Sequence, residues 1–440
     1  MNQQEIYIKV SDWMETHEED LINDIRRIVA IPSISNPEDA VPPFGKECRT
    51  ALETMLQIGE EHGFYTENYE YYAGSIGCRK KNWDNMIGFW NHLDVVPVGE
   101  GWEYPPFTPT RKGKYLIGRG AQDNKGPAIG MLYLMQCIRE LEIPMKHEFC
   151  LFVGSDEERG MSDLEYYASR YPFPALSIIA DSGIPVCYGE KGIVEGRFVA
   201  KQELGSDILE LNGGVAGNII PDRAVAILAR SEQLMAALKV RLEETGTDRI
   251  CISEDGATVT VTAFGTSKHS AFPEGSINAI HVLTSFLKGV SSLSRTDQEL
   301  FACLADATRE YYGEAVKIAF EDEVSGKTTC AGTILGIENR CCCLTLNIRY
   351  AITADSKEIS HRLRTYAEKN GMLWDQERDS GPNYFPKEHP VVDFLTDLYN
   401  EWTGLETKPF VMGGGTYARK LPNAFGYGIG SMPEREDDRA

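Results

Sequence analysis

Apolar positions in the first 190 residues fall into short continuous runs that alternate with helical stripes. Leu21, Ile22, Ile25, Ile28 and Val29 recur at helical spacing over residues 19–31, and Pro32 ends that stretch. The run NMIGFWNHLDVV reads as a buried strand. GPAIGMLYLMQCIRELE reads as a helix with Leu134, Met135, Ile138 and Leu141 on one face. HEFCLFVGS and ALSIIADS read as two further strands. Strands that alternate with helices in this way predict an α/β domain with a doubly wound, largely parallel sheet. After Gly192 the texture changes to polar–apolar alternation in IVEGRFVAK, ATVTVTAFG and CLTLNIRYAIT, with one helical run, NAIHVLTSFLKGV, between them. Such alternation marks strands with one wet face, so 189–383 is expected to be an inserted α+β lid domain. From Tyr384 the first texture returns, with VVDFLTDLYNEWTG as a helix. The interrupted domain would therefore comprise 1–188 plus 384–440.

Composition narrows what this architecture can do. At 440 residues the chain suits two cores better than one, and 42% hydrophobic with 25% charged residues places it among folded, water-soluble proteins. A formal charge of −22 argues against nucleic acid and anionic membranes as partners. The first residues lack the basic start and apolar core of a secretion signal, and no apolar run is long enough to span a bilayer, so a cytoplasmic location is expected. Eleven cysteines are scattered without a CxxC pair. Cys341, Cys342 and Cys343 adjoin in a strand-like run, where successive side chains face opposite ways and cannot converge on one metal. Reduced thiols are expected.

Four segments place acids or histidine where a strand or turn ends: His92 and Asp94 in NHLDVVPVG, Asp123 in GRGAQDNKGP, Asp156, Glu157 and Glu158 in GSDEERG, and Asp181 in IIADSG. Three follow apolar strand-like runs and the other opens a helix, which is where open α/β sheets bind ligands. Imidazole with carboxylates suits zinc, and a richer carboxylate set admits manganese. A pair of ions about 3.5–4 Å apart needs a bridging carboxylate. His92 and Asp94, two apart, would share a strand face, so Asp94 could accept the second imidazole proton. Glu157 and Glu158 could divide metal binding and proton transfer between them. Taken singly, each element has a plainer reading: a satisfied polar pair, a solvated Glu-Glu, a turn and helix cap in DNKG. The ordered set carries the argument.

That ordered set includes GW and PF after HLDVVPVG, and YGEKG after IIADSG. It resembles the di-metal exopeptidases and amidases that include aminoacylases, succinyl-diaminopimelate desuccinylase and bacterial dipeptidases. The similarity spans nearly the whole chain and is nearest to the PepV-type dipeptidases, whose long lid is roughly doubled and mimics a dimer partner. The resemblance implies two divalent ions, zinc or manganese. His92 and Asp181 would bind one, Glu158 the other, and Asp123 both. Glu157 would be the general base toward a metal-bridging water and then the acid for the leaving amine. Asp181 at its position resembles the peptidase branches, because deacylases more often carry Glu there.

In the lid, LNGGVAGNIIPDRA would bring Asn218 to the substrate, His269 of GTSKHSAFPEGSINAI would steady the oxyanion, and Arg349 of NIRY would grip a substrate carboxylate. Alone, His269 reads as a surface-loop histidine and Arg349 as an edge-strand arginine. GGGTYAR lacks the Gly-Lys-Ser/Thr continuation of a phosphate loop; the resemblance makes Gly414, Gly415 and Thr416 part of the substrate pocket. The implied function is dipeptide hydrolysis by a monomer. An amidase acting on N-acyl amino acids is the alternative. Two positions depart from the family. Asn124 stands where a second Asp is common, and little effect is expected because that position is not a ligand. The family's last metal ligand is a histidine after the glycine segment, but no histidine follows His389. Its position, with a closing helix, would fall past Ala440. Without that imidazole the second ion would bind weakly, which keeps a catalytically impaired peptide- or metal-binding protein as a further alternative.

Overall fold

The computed structural model describes residues 3–428. The chain divides into two compact units, Met1–Gly189 with Tyr384–Phe410 and Gly415–Ala440, and Glu190–Asn383 with Val411–Gly414.

The first unit carries the expected α/β sheet. Six strands of its nine-stranded sheet run in the order Tyr65–Tyr69, Ala73–Gly77, Glu148–Gly154, Met86–His92, Leu176–Ile179, Ala424–Gly426. The last four of these are mutually parallel, and the first two form an antiparallel hairpin on the flank. Both faces of the parallel strands are covered, which is why their central residues form continuous apolar runs. Phe89, Leu151 and Val153 pack under the helices Gln3–Val29, Lys46–Glu61 and Lys125–Glu140 through Ile28, Leu52, Met55, Ile129 and Leu132. Trp90, Cys150 and Phe152 turn to the other face, against Leu164, Tyr167 and Tyr417. The first helix begins at Gln3, well before residue 19. Its early turns are anchored mainly by Trp13, whose Nε1 donates to Glu140 at 2.8 Å, so the apolar stripe there is too thin to read.

The second unit is one eight-stranded, wholly antiparallel sheet. Its order is Ile250–Asp255, Thr258–Phe264, Arg223–Ala229, Ile208–Gly213, Thr329–Glu338, Cys341–Tyr350, Gly192–Glu203, Met372–Ser380. The pattern strand–helix–strand occurs at both ends, once around the helix Glu232–Thr245 and once around Ser356–Lys369. Phe198, Leu346, Ile348, Leu283, Phe286 and Leu363 join sheet and helices in one core. No disulfide joins the cysteines among the described residues, and no helix among them is long and apolar enough to cross a membrane.

Candidate metal centre

Register brings the site together. His92 pairs with Gly154 and Trp90 with Ile179, so three parallel strands end nearly level. The residues just beyond them are Asp94, the 155–158 loop and Asp181. Asp123 arrives on the turn before the helix Lys125–Glu140, and its peptide bond to Asn124 is cis. His92 Nε2 lies 2.9 Å from Asp123 Oδ1 and 3.4 Å from Asp181 Oδ2. One ligand atom from each of the three residues falls within 4.8 Å of the others. A ring nitrogen and two carboxylate oxygens at this spacing form a donor set for a divalent cation. The electrostatics fit the same cation. Burial alone would lower the fully buried imidazole, yet Asp123, Asp181 and Asp94 together raise it well above its ordinary value. A proton on Nε2 thus stands between the carboxylates where a metal would.

The acid loop is held from below. Asp94 accepts Glu157 N–H and Glu158 N–H on its two carboxylate oxygens, each at 3.1 Å. His92 Nδ1 is 3.0 Å from the Asp94 carbonyl and 3.4 Å from its carboxylate, so the main chain is the nearer partner of the imidazole. The shared strand face expected of the two residues is absent because the strand stops at His92. Glu157 is buried, and its Oε1 has no hydrogen-bond partner. Burial drives this carboxyl well above the ordinary carboxylate range; Asp181, Asp94 and Glu158 add repulsion, and His92 opposes it. Glu158 lies at the solvent side and outside the three-donor group, yet the protein around it, chiefly by desolvation, pushes its carboxyl up to about 7. A cavity of about 210 Å³ opens beside Asp123, Asn124, Asp181 and Ser182.

Asn124 lies outside the three-donor group, as a non-ligand should, and bridges the groups around it. It is buried, donates from Nδ2 to Ala180 O at 2.8 Å and Asp181 Oδ1 at 3.0 Å, and accepts His92 N–H at 3.3 Å. It therefore ties the Asp181 loop to the His92 strand. In sequence it looks like a helix cap, but its side chain makes no cap hydrogen bond. Lys125 beside it is fully buried, donates to Ile31 O at 2.6 Å and is lowered by burial to about 8. No sequence signal marked it.

The sequence profile of peptidase family M20/M25/M40 matches residues 88–437. The chain belongs to this family. It is 29% identical over 421 residues to the "Putative dipeptidase YtjP" of Bacillus subtilis (strain 168), covering 93% of this chain and 89% of that one. It is 28% identical over 439 residues to a "Putative dipeptidase" of Staphylococcus epidermidis, covering 94% and 91%. Human carnosine dipeptidase 1 superposes with a TM-score of 0.57 at 14% identity, over 96% of this chain and 91% of that one. The dipeptidase Dug1p of Saccharomyces cerevisiae gives 0.57 at 12% identity, over 98% and 92%. These two likenesses establish the fold.

The second unit of this M20/M25/M40 peptidase links the remaining expected residues by a polar chain. Ile219 pairs with His269 across a two-stranded ladder, and Ser270 N–H donates to Asn218 O at 2.9 Å. Ser270 Oγ donates to Asn347 Oδ1 at 2.8 Å, and Arg349 Nε donates to the same oxygen at 2.9 Å. Arg349 Nη1 reaches Gly413 O at 3.0 Å. Ser270 and Asn347, which join Asn218 to Arg349, carried no signal of their own. His269 Nδ1 accepts Ala271 N–H at 3.1 Å, so the neutral ring carries its proton on Nε2. Burial, aided by Arg349, lowers this imidazole and keeps it neutral near pH 7. Gly413 is confined: a Cβ there would lie 2.5 Å from Ala271 Cβ. Gly414 belongs with the second unit, while Gly415 and Thr416 belong with the first. Thr416 Oγ1 caps the turn Tyr417–Lys420 by accepting Ala418 N–H at 3.2 Å. His389 caps the helix Pro390–Thr403 through Val391 N–H at 3.3 Å. The histidine expected past Ala440 lies outside the described residues.

Proposed function

We propose that this M20/M25/M40 peptidase is a monomeric cytoplasmic dipeptidase that works with two divalent ions, zinc or manganese. One observation carries the reading: a buried carboxylate with an unpartnered oxygen, Glu157, beside the His92–Asp123–Asp181 donor set. The names of the relatives agree with it. His92, Asp123, Glu158 and Asp181 would hold the ions, with Asp123 shared. When bound, such ions polarise a scissile carbonyl and acidify water.

The chain's own groups supply the rest. Glu157 takes the proton of the attacking water and returns it to the leaving amine; its raised proton affinity suits both halves of that cycle. Asp94 keeps Glu157 in place through its main chain and orients His92. Asn124 does the same for Asp181. In the second unit Arg349 offers a planar fork to the peptide's C-terminal carboxylate. Asn218 contributes an amide to the substrate, and His269 donates Nε2–H toward the developing oxyanion. Gly414, Gly415 and Thr416 line the pocket with close main-chain approach.

The test is a panel of free dipeptides and N-acyl amino acids, each with added manganese or zinc. Dipeptides are expected to be cleaved, and Glu157→Gln is expected to lose turnover while it still binds metal. Hydrolysis of acyl amino acids alone would make the protein an amidase. Metal and peptide binding without turnover in the unaltered protein would make it a binding protein.

A further inference from the structure

Four consecutive main-chain N–H groups precede or belong to the acid pair, and two buried carboxylates receive all of them. Asp94 takes those of Glu157 and Glu158. Asp163 takes the other two on a single oxygen, Ser155 N–H at 2.7 Å and Asp156 N–H at 2.9 Å. Asp163 sits in the first turn of the helix Ser162–Ala168 and is fully buried. Its other oxygen accepts Leu164 N–H at 2.7 Å. The hydroxyl of Tyr417 donates to the same Asp163 oxygen as the loop amides. Tyr417 follows Thr416 in the glycine segment, is itself buried, and sets its ring edge-on to Trp90 at 6.5 Å. The approach is so close that Gly154 admits no side chain. A Cβ there would lie 2.1 Å from the Tyr417 hydroxyl and 2.3 Å from the Asp163 oxygen.

We propose that Asp163 and Tyr417 are positioning residues that lock the 155–158 loop and thereby aim Glu157 and Glu158. Neither side chain belongs to the donor set, so both act through the loop. The proposal rests on the reading of Glu157 as the base. A buried N–H that loses its acceptor is strongly disfavoured, because no water replaces the lost partner. The loop therefore cannot shift while Asp163 is fixed, and the Tyr417 hydroxyl fixes Asp163. Removing that hydroxyl leaves the fold its packing but frees the carboxylate to turn and the loop to follow. A misplacement of this kind weakens proton transfer more than it weakens substrate binding.

The decisive variants are Tyr417→Phe and Asp163→Asn, with Tyr167→Phe as a matched control. Tyr167 packs in the same core and spends its hydroxyl on Pro172 O at 2.9 Å, away from the loop. Amide hydrogen exchange over 154–158 is expected to quicken about tenfold or more in the two variants and to stay unchanged in the control, because exchange follows local opening. On dipeptides, kcat is expected to fall about tenfold with KM nearly unchanged, the mark of an interaction made in the transition state. The control is expected to lose a similar melting temperature and keep kcat. Unchanged exchange at 155–158 in folded Tyr417→Phe would overturn the proposal. So would faster exchange with unaltered kcat, which would leave the pair a purely structural lock. If Asp163→Asn does not fold, Tyr417→Phe decides alone. If the unaltered protein cleaves no dipeptide, the dipeptidase reading fails, while exchange and manganese titration of the same variants still decide whether the loop and Glu158 are held by this pair.

Discussion

The first unit buries two groups of acids and treats them in opposite ways. Asp24 lies among three helices, 7% exposed. His62 Nε2 at 2.8 Å, Tyr133 Oη at 3.0 Å and Arg27 Nη1 at 2.8 Å all point at its carboxylate. Burial works to raise this carboxyl, but those hydrogen bonds outweigh it and hold it below its ordinary value. Glu157 is 9% exposed, one of its oxygens has no partner, and burial wins. Both are hidden from solvent, but Glu157 lies deeper in the protein and has fewer donors; Asp163, fully buried and rich in donors, is still pushed up to about 7 by burial, so depth and donor supply act together. A carboxylate surrounded by donors is spent on structure. One starved of donors keeps an unmet demand that a proton or a cation can fill.

Neutralising each acid in turn is expected to give the largest difference. Glu157→Gln is expected to lower kcat by about 10³-fold, within the range of a lost general base, with a melting temperature equal to or above the parent's. Asp24→Asn is expected to leave kcat untouched. Steady-state rates beside thermal melts read both. A Glu157→Gln enzyme with normal turnover would erase the functional half of the contrast.

The next effect is metal linkage. Chelation is expected to lower the melting temperature, and manganese at about a hundred times its dissociation constant should restore about 2.7 kcal/mol. Asp123→Asn should abolish that gain, because Asp123 is one of the three clustered donors. A melt that ignores both chelator and metal would show that the acid cluster is satisfied without a cation. Smaller still is Asp24→Leu, which strands the Tyr133 hydroxyl and the His62 imidazole. It is expected to cost about 2 kcal/mol, measured by urea unfolding.

The contrast also explains how much could be read in advance. Sheets buried on both faces spell themselves out, as in Phe89–Trp90 and Leu151–Phe152, and so the α/β fold was legible. The helix Glu232–Thr245 was not, because its apolar residues do not gather on one face: Leu234, Ala237 and Leu238 are buried while Val240 is exposed. At the site, position drew attention to the candidates: His92, Glu157, Glu158 and Asp181 stand where apolar strands break off, and Asp123 stands on the turn that opens a helix. Residues that hold those groups do not. Tyr417 meets Asp163 across 254 positions of sequence, and Ser270 meets Asn347 across 77. Such partners are set by tertiary register, which local pattern does not encode. The bridging role of Asn124 is not legible either, since a helix-start Asn looks the same whether it caps or bridges.

The smallest expected effect is also the sharpest test of sign. The lowered Asp24 contributes stability that is present above its ordinary value of 3.8 and is lost as pH falls through its folded value. His62 is raised, first by its hydrogen bond to Asp24, and contributes stability that is present below its ordinary 6.5 and is lost as pH rises through its folded value. The pair therefore contributes fully between those two ordinary values and fades on either side. Its partial solvent contact limits the pH-dependent part to about 1 kcal/mol. Urea unfolding of the parent and Asp24→Asn across that range should show a stability gap that peaks in the mildly acidic window. Glu157 should behave in reverse. Its raised carboxyl favours the folded state at low pH and disfavours it as pH rises, so chelated Glu157→Gln should gain on the parent toward alkaline pH. Gaps of the same sign for both acids would mean that donor supply does not separate them.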